Sequence, residues 1–98
     1  MVKVIIGHKV KTGADIEPLL LKFRALAREY PGFVNSEDLI SEKDGNVVVT
    51  ISTWDKDSDW KECENSIIRQ QLYQDVYEIM EDKPRIQMYR VPEVRRRN

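Results

Sequence analysis

His8 is the only histidine in this chain of 98 residues. Its ordinary pKa lies closest to neutral pH, which makes it the first candidate for moving a proton. It stands near the end of a β-prone run, on the same strand face as Val4 and Ile6. That placement fits a pocket acid or base, but it also fits a strand-end histidine half exposed to water. Tyr73 and Tyr77 are four residues apart and share a helix face, either leaning over a pocket mouth or packing on a sheet. Trp54 and Trp60 offer indole walls to an aromatic ligand, or core and interface packing, which is the commoner use. Asn35, Asn65 and Arg69 can hydrogen-bond a polar ligand, or serve as caps and surface groups. Cys63 is the only cysteine, so no internal disulfide, Cys-x-x-Cys pair or zinc spacing exists. On the apolar side of a helical stretch it reads as a small buried hydrophobe. No metal site is expected. What remains is proton transfer by a single base among phenols and indoles.

The elements that must hold these groups follow from the pattern of side chains. Val2 to Val10 is β-branched and apolar and reads as a first strand. Thr12-Gly13 breaks it, and Asp15 is placed to cap a helix with Glu17 and Pro18 in its first turn. Ile16, Leu19, Leu20, Phe23, Ala27 and Tyr30 recur at helical steps until Pro31-Gly32. Val34 to Ser41 is a second strand with weaker alternation. Asp44-Gly45 predicts a tight hairpin with φ > 0 at both central residues. Val47 to Trp54 is the most β-prone stretch. Asp57 or Ser58 is expected to cap a second helical region. There Trp60, Cys63 and Ile67 form one stripe, and Ile68, Leu72, Val76, Ile79 and Met80 another. The offset predicts a kink near Asn65-Ser66 and a longer helix to about Asp82. Ile86 to Val91 is the last strand. The domain is expected over 1–92, and a basic mobile tail with Arg95-Arg96-Arg97 over 93–98.

Composition narrows the function classes. Sixteen basic and seventeen acidic residues nearly cancel, so there is no electrostatic footprint for nucleic acid or anionic lipid. No stretch approaches the length of a membrane span. The sequence starts directly on strand-like residues without a leader pattern, and the expected location is the cytoplasm. Ninety-eight residues make one domain, small enough for oligomerisation to help its stability.

The order β-α-β-β-α-β gives a ferredoxin-like α+β fold, a four-stranded antiparallel sheet with two helical regions on one face. Strand three presents Val47, Val49 and Ile51 to one face and Val48, Thr50, Ser52 and Trp54 to the other, so whichever face the helices leave open stays partly apolar. That predicts a homodimer formed through the sheet faces. Several function classes share this topology. Strand three lacks the aromatic signature of an RNA-recognition module. The cysteine pair of a metal chaperone is missing, and Gly7-His8-Lys9 is not a phosphate-cradling loop.

Tyr30-Pro31-Gly32-Phe33, Glu37, Trp54, Asp59-Trp60, Asn65-Ser66 and Arg69 follow one another in an order that resembles the antibiotic biosynthesis monooxygenase (ABM) family. The resemblance extends from Val2 to about Val91. It implies a dimeric α/β barrel with a pocket between sheet and helices in each subunit. The activity it implies is a cofactor-independent monooxygenase acting on a small aromatic or quinol-type molecule. His8 is then the expected catalytic base, with Trp60, Tyr73, Tyr77, Asn35 and Arg69 as substrate-binding residues. The haem-degrading branch has asparagine, tryptophan and histidine where Ile6, Cys63 and Tyr73 stand here, which argues against haem, and no cofactor is expected. The alternative is a non-catalytic dimeric module of the same fold that binds a small metabolite or a partner protein.

Overall fold

The computed structural model describes residues 1–92. The expected tail over 93–98 lies outside the described residues. The elements are β1 (Val2–Lys9), α1 (Glu17–Ala27), β2 (Phe33–Ile40), β3 (Val47–Trp54), α2 (Asp57–Glu64), α3 (Ile67–Ile79) and β4 (Arg85–Arg90). The strands form one antiparallel sheet in the order β2-β3-β1-β4. This is the ferredoxin-like α+β arrangement expected from the sequence. The second helical region divides where the two apolar stripes fall out of step. Ser66 caps the new helix, its hydroxyl accepting from the Arg69 backbone N–H at 3.2 Å.

Strand register decides which side chains meet the helices. Val4 faces Ser52, Ile6 faces Thr50 and His8 faces Val48 across β1 and β3. Across β2 and β3, Ser36 faces Ser52 and Asp38 faces Thr50. These residues share the face covered by the helices. Ile5, Val49, Ile51, Leu39 and Tyr89 lie on the other face. Buried apolar residues on the covered side fall into two clusters. One contains Val10, Ile16, Leu20, Val48, Tyr73, Val76 and Met80. The other contains Val4, Ile6, Trp54, Trp60 and Cys63, with Tyr30 and Phe33 packed against it.

Five local expectations need correction. The Asp44-Gly45 turn is not a two-residue hairpin with positive φ, since among the described residues only Gly13 and Gly32 have positive φ. Instead Ser41 Oγ accepts from the N–H groups of Lys43 and Asp44, and the Asp44 carboxylate accepts from Asn46 N–H. These side chains wrap their own backbone into a longer loop. Neither Asp57 nor Ser58 caps α2; Lys56 holds the N-cap position without a side-chain hydrogen bond. Asp15 does not cap α1 either: Ile16 holds the N-cap position without a side-chain hydrogen bond, and Asp15, one residue earlier, accepts from the Glu17 N–H at 3.0 Å. Ile67 and Ile68 are exposed rather than buried, because the restart at Ser66 rotates α3 so that Arg69, Tyr73 and Val76 face inward. Finally, α3 stops at Ile79 rather than Asp82, as Met80 turns extended and bridges to Val10.

The loop before β2 is tightly constrained. Gly32 has φ +86°, and a Cβ there would lie 2.1 Å from Asp59 Oδ2. Only glycine fits both the backbone and the space. The carbonyl of Gly32 accepts from Asp55 N–H at 2.8 Å, tying the start of β2 to the end of β3.

Candidate functional site

The two apolar clusters do not meet across the whole covered face. Between them lies a cavity floored by the sheet and roofed by the helices. Its floor carries His8, Ser36, Asp38, Thr50 and Ser52, and its walls include Phe23, Trp54, Trp60, Arg69 and Tyr73. The unoccupied space amounts to about 550 Å³ counted out to the mouth, of which about 60 Å³ can hold the centres of water-sized molecules. The larger figure includes open solvent at the mouth, so only the smaller compares with measured cavities, and it lies well below the roughly 300–1,000 Å³ of small-molecule sites. The smaller one shows how closely the walls approach.

His8 is brought to this cavity by the pleat of β1, which turns every second side chain toward the helices. It is buried rather than half exposed. Its Nδ1 lies 3.3 Å from the Val48 carbonyl oxygen, and its Nε2 lies 3.2 Å from the Tyr73 hydroxyl. A carbonyl can only accept, so Nδ1 carries the proton and Nε2 receives the hydrogen of Tyr73. Burial is the main influence on the imidazole and holds its pKa below the ordinary 6.5. The Val48 carbonyl and Asp38 push it up, while Arg69 pushes it further down. Burial likewise raises the Tyr73 phenol, against the lowering effect of Arg69, and raises the Cys63 thiol. All three groups are therefore held toward their neutral forms near pH 7.

Arg69 comes from the first turn of α3 and is 7% exposed. Its guanidinium carbon lies 4.6 Å from the centroid of Tyr73, 4.7 Å from Trp60 and 5.7 Å from Phe23. Aromatic faces stabilise a buried cation by their quadrupoles, though less than a carboxylate does. Arg24 on α1 has such a carboxylate in Asp38 on β2. The Trp54 indole N–H donates to Ser52 Oγ at 2.9 Å.

Of the six residues expected to catalyse or bind, four line one cavity, His8, Trp60, Arg69 and Tyr73, beside Trp54 and Cys63. The other two do not. Tyr77 is half exposed, packs on Tyr73 at 5.6 Å between ring centroids, and borders a separate outer cleft with Gln74, Pro84 and Ile86. Arg69 and Tyr73 also border that cleft, forming a wall shared by both spaces. Asn35 pairs with Thr53 on the face away from the helices and is exposed. The beginning of β2 carries an irregularity between Phe33 and Asn35. Sequence reasoning missed Arg24, Asp38, Ser36, Thr50 and Ser52. The available signal was the weak alternation of β2, whose polar Ser36 and Asp38 take inward positions normally filled by apolar residues.

No protein-family model matches the sequence, and no curated protein matches it. Solved structures do. A Deinococcus radiodurans protein provisionally assigned to the antibiotic biosynthesis monooxygenases superposes with TM-score 0.86 at 14% identity, covering 100% of this chain and 99% of that one. SnoaB from Streptomyces nogalater, described as a cofactor-independent oxygenase, superposes with TM-score 0.83 at 15% identity over 95% of this chain and 94% of its own. A Mycobacterium tuberculosis protein, Rv0793, gives TM-score 0.83 at 16% identity over 95% and 96% of the two chains. At these identities the likeness establishes that the chain has the fold of ABM proteins.

Proposed function

We propose that this protein is an ABM-family, cofactor-independent monooxygenase-like enzyme that binds a small aromatic or quinol-type molecule in the cavity between sheet and helices. The observation that carries this reading is the buried His8–Tyr73 pair in the cavity wall, with Nε2 3.2 Å from the phenol oxygen. A ligand hydroxyl or acidic C–H gives its proton to the Tyr73 oxygen while the Tyr73 proton passes to His8 Nε2, so that the phenol is regenerated and the imidazole becomes charged. The ligand anion is then electron-rich enough to reduce dioxygen itself. For an activated ring methylene the balance is CH2 plus O2 to C=O plus H2O: one oxygen atom enters the carbon, and the other leaves as water with both hydrogens. Trp60 walls the cavity, and Arg69 binds the developing oxyanion. The fold likeness to SnoaB, itself described as cofactor-independent, supports the absence of a bound redox group from this scheme.

The same reading includes a homodimer. Ile5, Val49, Ile51, Leu39 and Tyr89 leave an apolar patch on the face the helices do not cover. Pairing two such faces would remove it from water at about 25 cal/mol per Å². A monomeric mass at micromolar concentration would rule out this part of the reading. Among the described residues no helix is long and apolar enough to cross a membrane.

Two observations favour a second reading, a non-catalytic dimeric module that binds a small metabolite. The cavity leaves only about 60 Å³ for water centres, and His8 has its lone pair already engaged. Oxygen uptake with a panel of quinols and anthrone-like aromatics decides between the two. The enzyme predicts uptake above the uncatalysed rate that falls at least about tenfold in His8→Ala. Ligand binding without uptake across the panel selects the module.

A further inference from the structure

Charge balance within the cavity is incomplete. Arg24 and Asp38 pair with each other, whereas Arg69 has no carboxylate within salt-bridge reach among the described residues. Taking a cation out of water without a counter-charge is costly, and three aromatic rings offset only part of that cost. Of the side chains that line the cavity, Arg24, Asp38 and Arg69 are the ionised ones, which leaves one positive charge uncompensated. The other titratable liners are His8, Cys63 and Tyr73, and burial drives each of them neutral.

Hydrogen-bond bookkeeping points the same way. The Nε of Arg24, another liner, is buried and has no acceptor. Among the described residues the Arg69 guanidinium has no ion-pair partner and lies over ring faces, 4.6 Å from the Tyr73 centroid and 4.7 Å from that of Trp60. The rings nearest Arg69, Trp60 and Phe23, are flat and apolar, while the neutral hydroxyls of Ser36, Thr50 and Ser52 on the floor bring no counter-charge. A guanidinium in this setting suits a planar, two-oxygen acceptor.

We propose that the cavity selects an aromatic oxyanion, with the anionic oxygen on the Arg69 guanidinium and the ring against Trp60. This rests on the cavity being the ligand site, as in the reading above, but not on any reaction with oxygen. The oxyanion has two possible sources: a carboxylate that the ligand carries permanently, or a phenolate formed in place when Tyr73 and His8 take its proton. The two share the same contact with Arg69 and differ in how they depend on His8.

Calorimetry with matched probes tests the assignment. Para-nitrobenzoate should bind wild-type protein on the order of tenfold to a hundredfold more tightly than para-nitrobenzamide, the span expected for a charge-assisted hydrogen-bonded pair. Arg69→Met should abolish that preference, and Arg69→Lys should restore part of it. Para-nitrophenol distinguishes the sources. An ionisation curve of the bound phenol, followed by phenolate absorbance, that moves to lower pH and moves back in His8→Ala indicates an oxyanion made in the site. A curve unmoved by His8→Ala, with the benzoate preference intact, indicates a permanent anion. Equal affinity for benzoate and benzamide, tighter binding of the amide, or binding of neither would overturn the proposal. The wild-type comparison stands even if Arg69→Met does not fold. Oxygen uptake is read separately, so a failed benzoate preference beside normal uptake refutes this inference and leaves the enzyme reading intact.

Discussion

At one end of the cavity Trp54 meets Phe33 and Trp60 ring to ring, with centroids 5.3 and 5.8 Å apart. At the other end Val10, Leu20, Val48, Val76 and Met80 pack mainly aliphatic chains around the one buried ring of Tyr73, against which Phe23 rests. The aromatic end is pinned by a glycine that tolerates no side chain and by rings whose mutual orientation is specified. The aliphatic end is held by contacts that many shapes could make. Arg69 joins the two, lying 4.7 Å from Trp60 of the first cluster and 4.6 Å from Tyr73 of the second. The difference shows why the site is where it is. A polar layer survives at the seam because neither core extends far enough to close over it.

The comparison can be broken most forcefully at Trp54, which is fully buried. Trp54→Ala should cost about 3–5 kcal/mol in urea unfolding. Val76→Ala, equally buried but at the aliphatic end, should cost about 2 kcal/mol. If the two costs were equal, the aromatic end would not be the more specified one. Gly32→Ala probes the pin itself. It should cost about 1–3 kcal/mol from the left-handed backbone alone, and more from the collision with Asp59. Adding Asp59→Ala should recover part of the collision and none of the backbone cost, a coupling that a double-mutant cycle measures.

The smallest expected effect belongs to the seam. The folded protein holds His8 below its ordinary pKa of 6.5, so the unfolded chain binds the extra proton first as pH falls. The stability contributed by neutral His8 is complete above about pH 6.5 and is lost as pH drops from there toward the folded-state pKa. His8→Gln, which cannot titrate, should remove this component from urea midpoints measured from neutral pH down to about 5. A wild-type profile identical to that of the variant would mean that His8 is not buried as a neutral imidazole.

How much of this was legible in the chain differs between the two ends. Pro31-Gly32-Phe33, Trp54 and Trp60 carry the aromatic end in their residue types, and the fold could be read from strand and helix periods with little loss. Ile67 and Ile68 were misread because a helix restart rotates the stripe, and periodicity cannot set the phase of a new helix. The Asp44-Gly45 turn was misread because Ser41 and Asp44 side chains compete for the backbone. The seam was half legible. His8, Trp60, Arg69 and Tyr73 were named for their chemistry. Arg24 and Asp38 were not, since their pairing depends on a strand register that becomes visible only once β2 is placed beside β3. Asn35 failed for the opposite reason: its chemistry suits a pocket, but the irregularity beside Phe33 leaves it on the outer face.

The partners at the seam lie at very different distances along the chain. Arg24 and Asp38 are 14 positions apart, whereas His8 and Tyr73 are 65 apart. The first pair needs only α1 and β2, with β2 set in register on neighbouring β3. The second needs β1, β3 and α3 already docked, and such long-range contacts form late in folding. A ligand that requires His8 and Tyr73 in register will therefore find its site only in the completed fold. Binding should slow unfolding of this protein while leaving its folding rate nearly untouched.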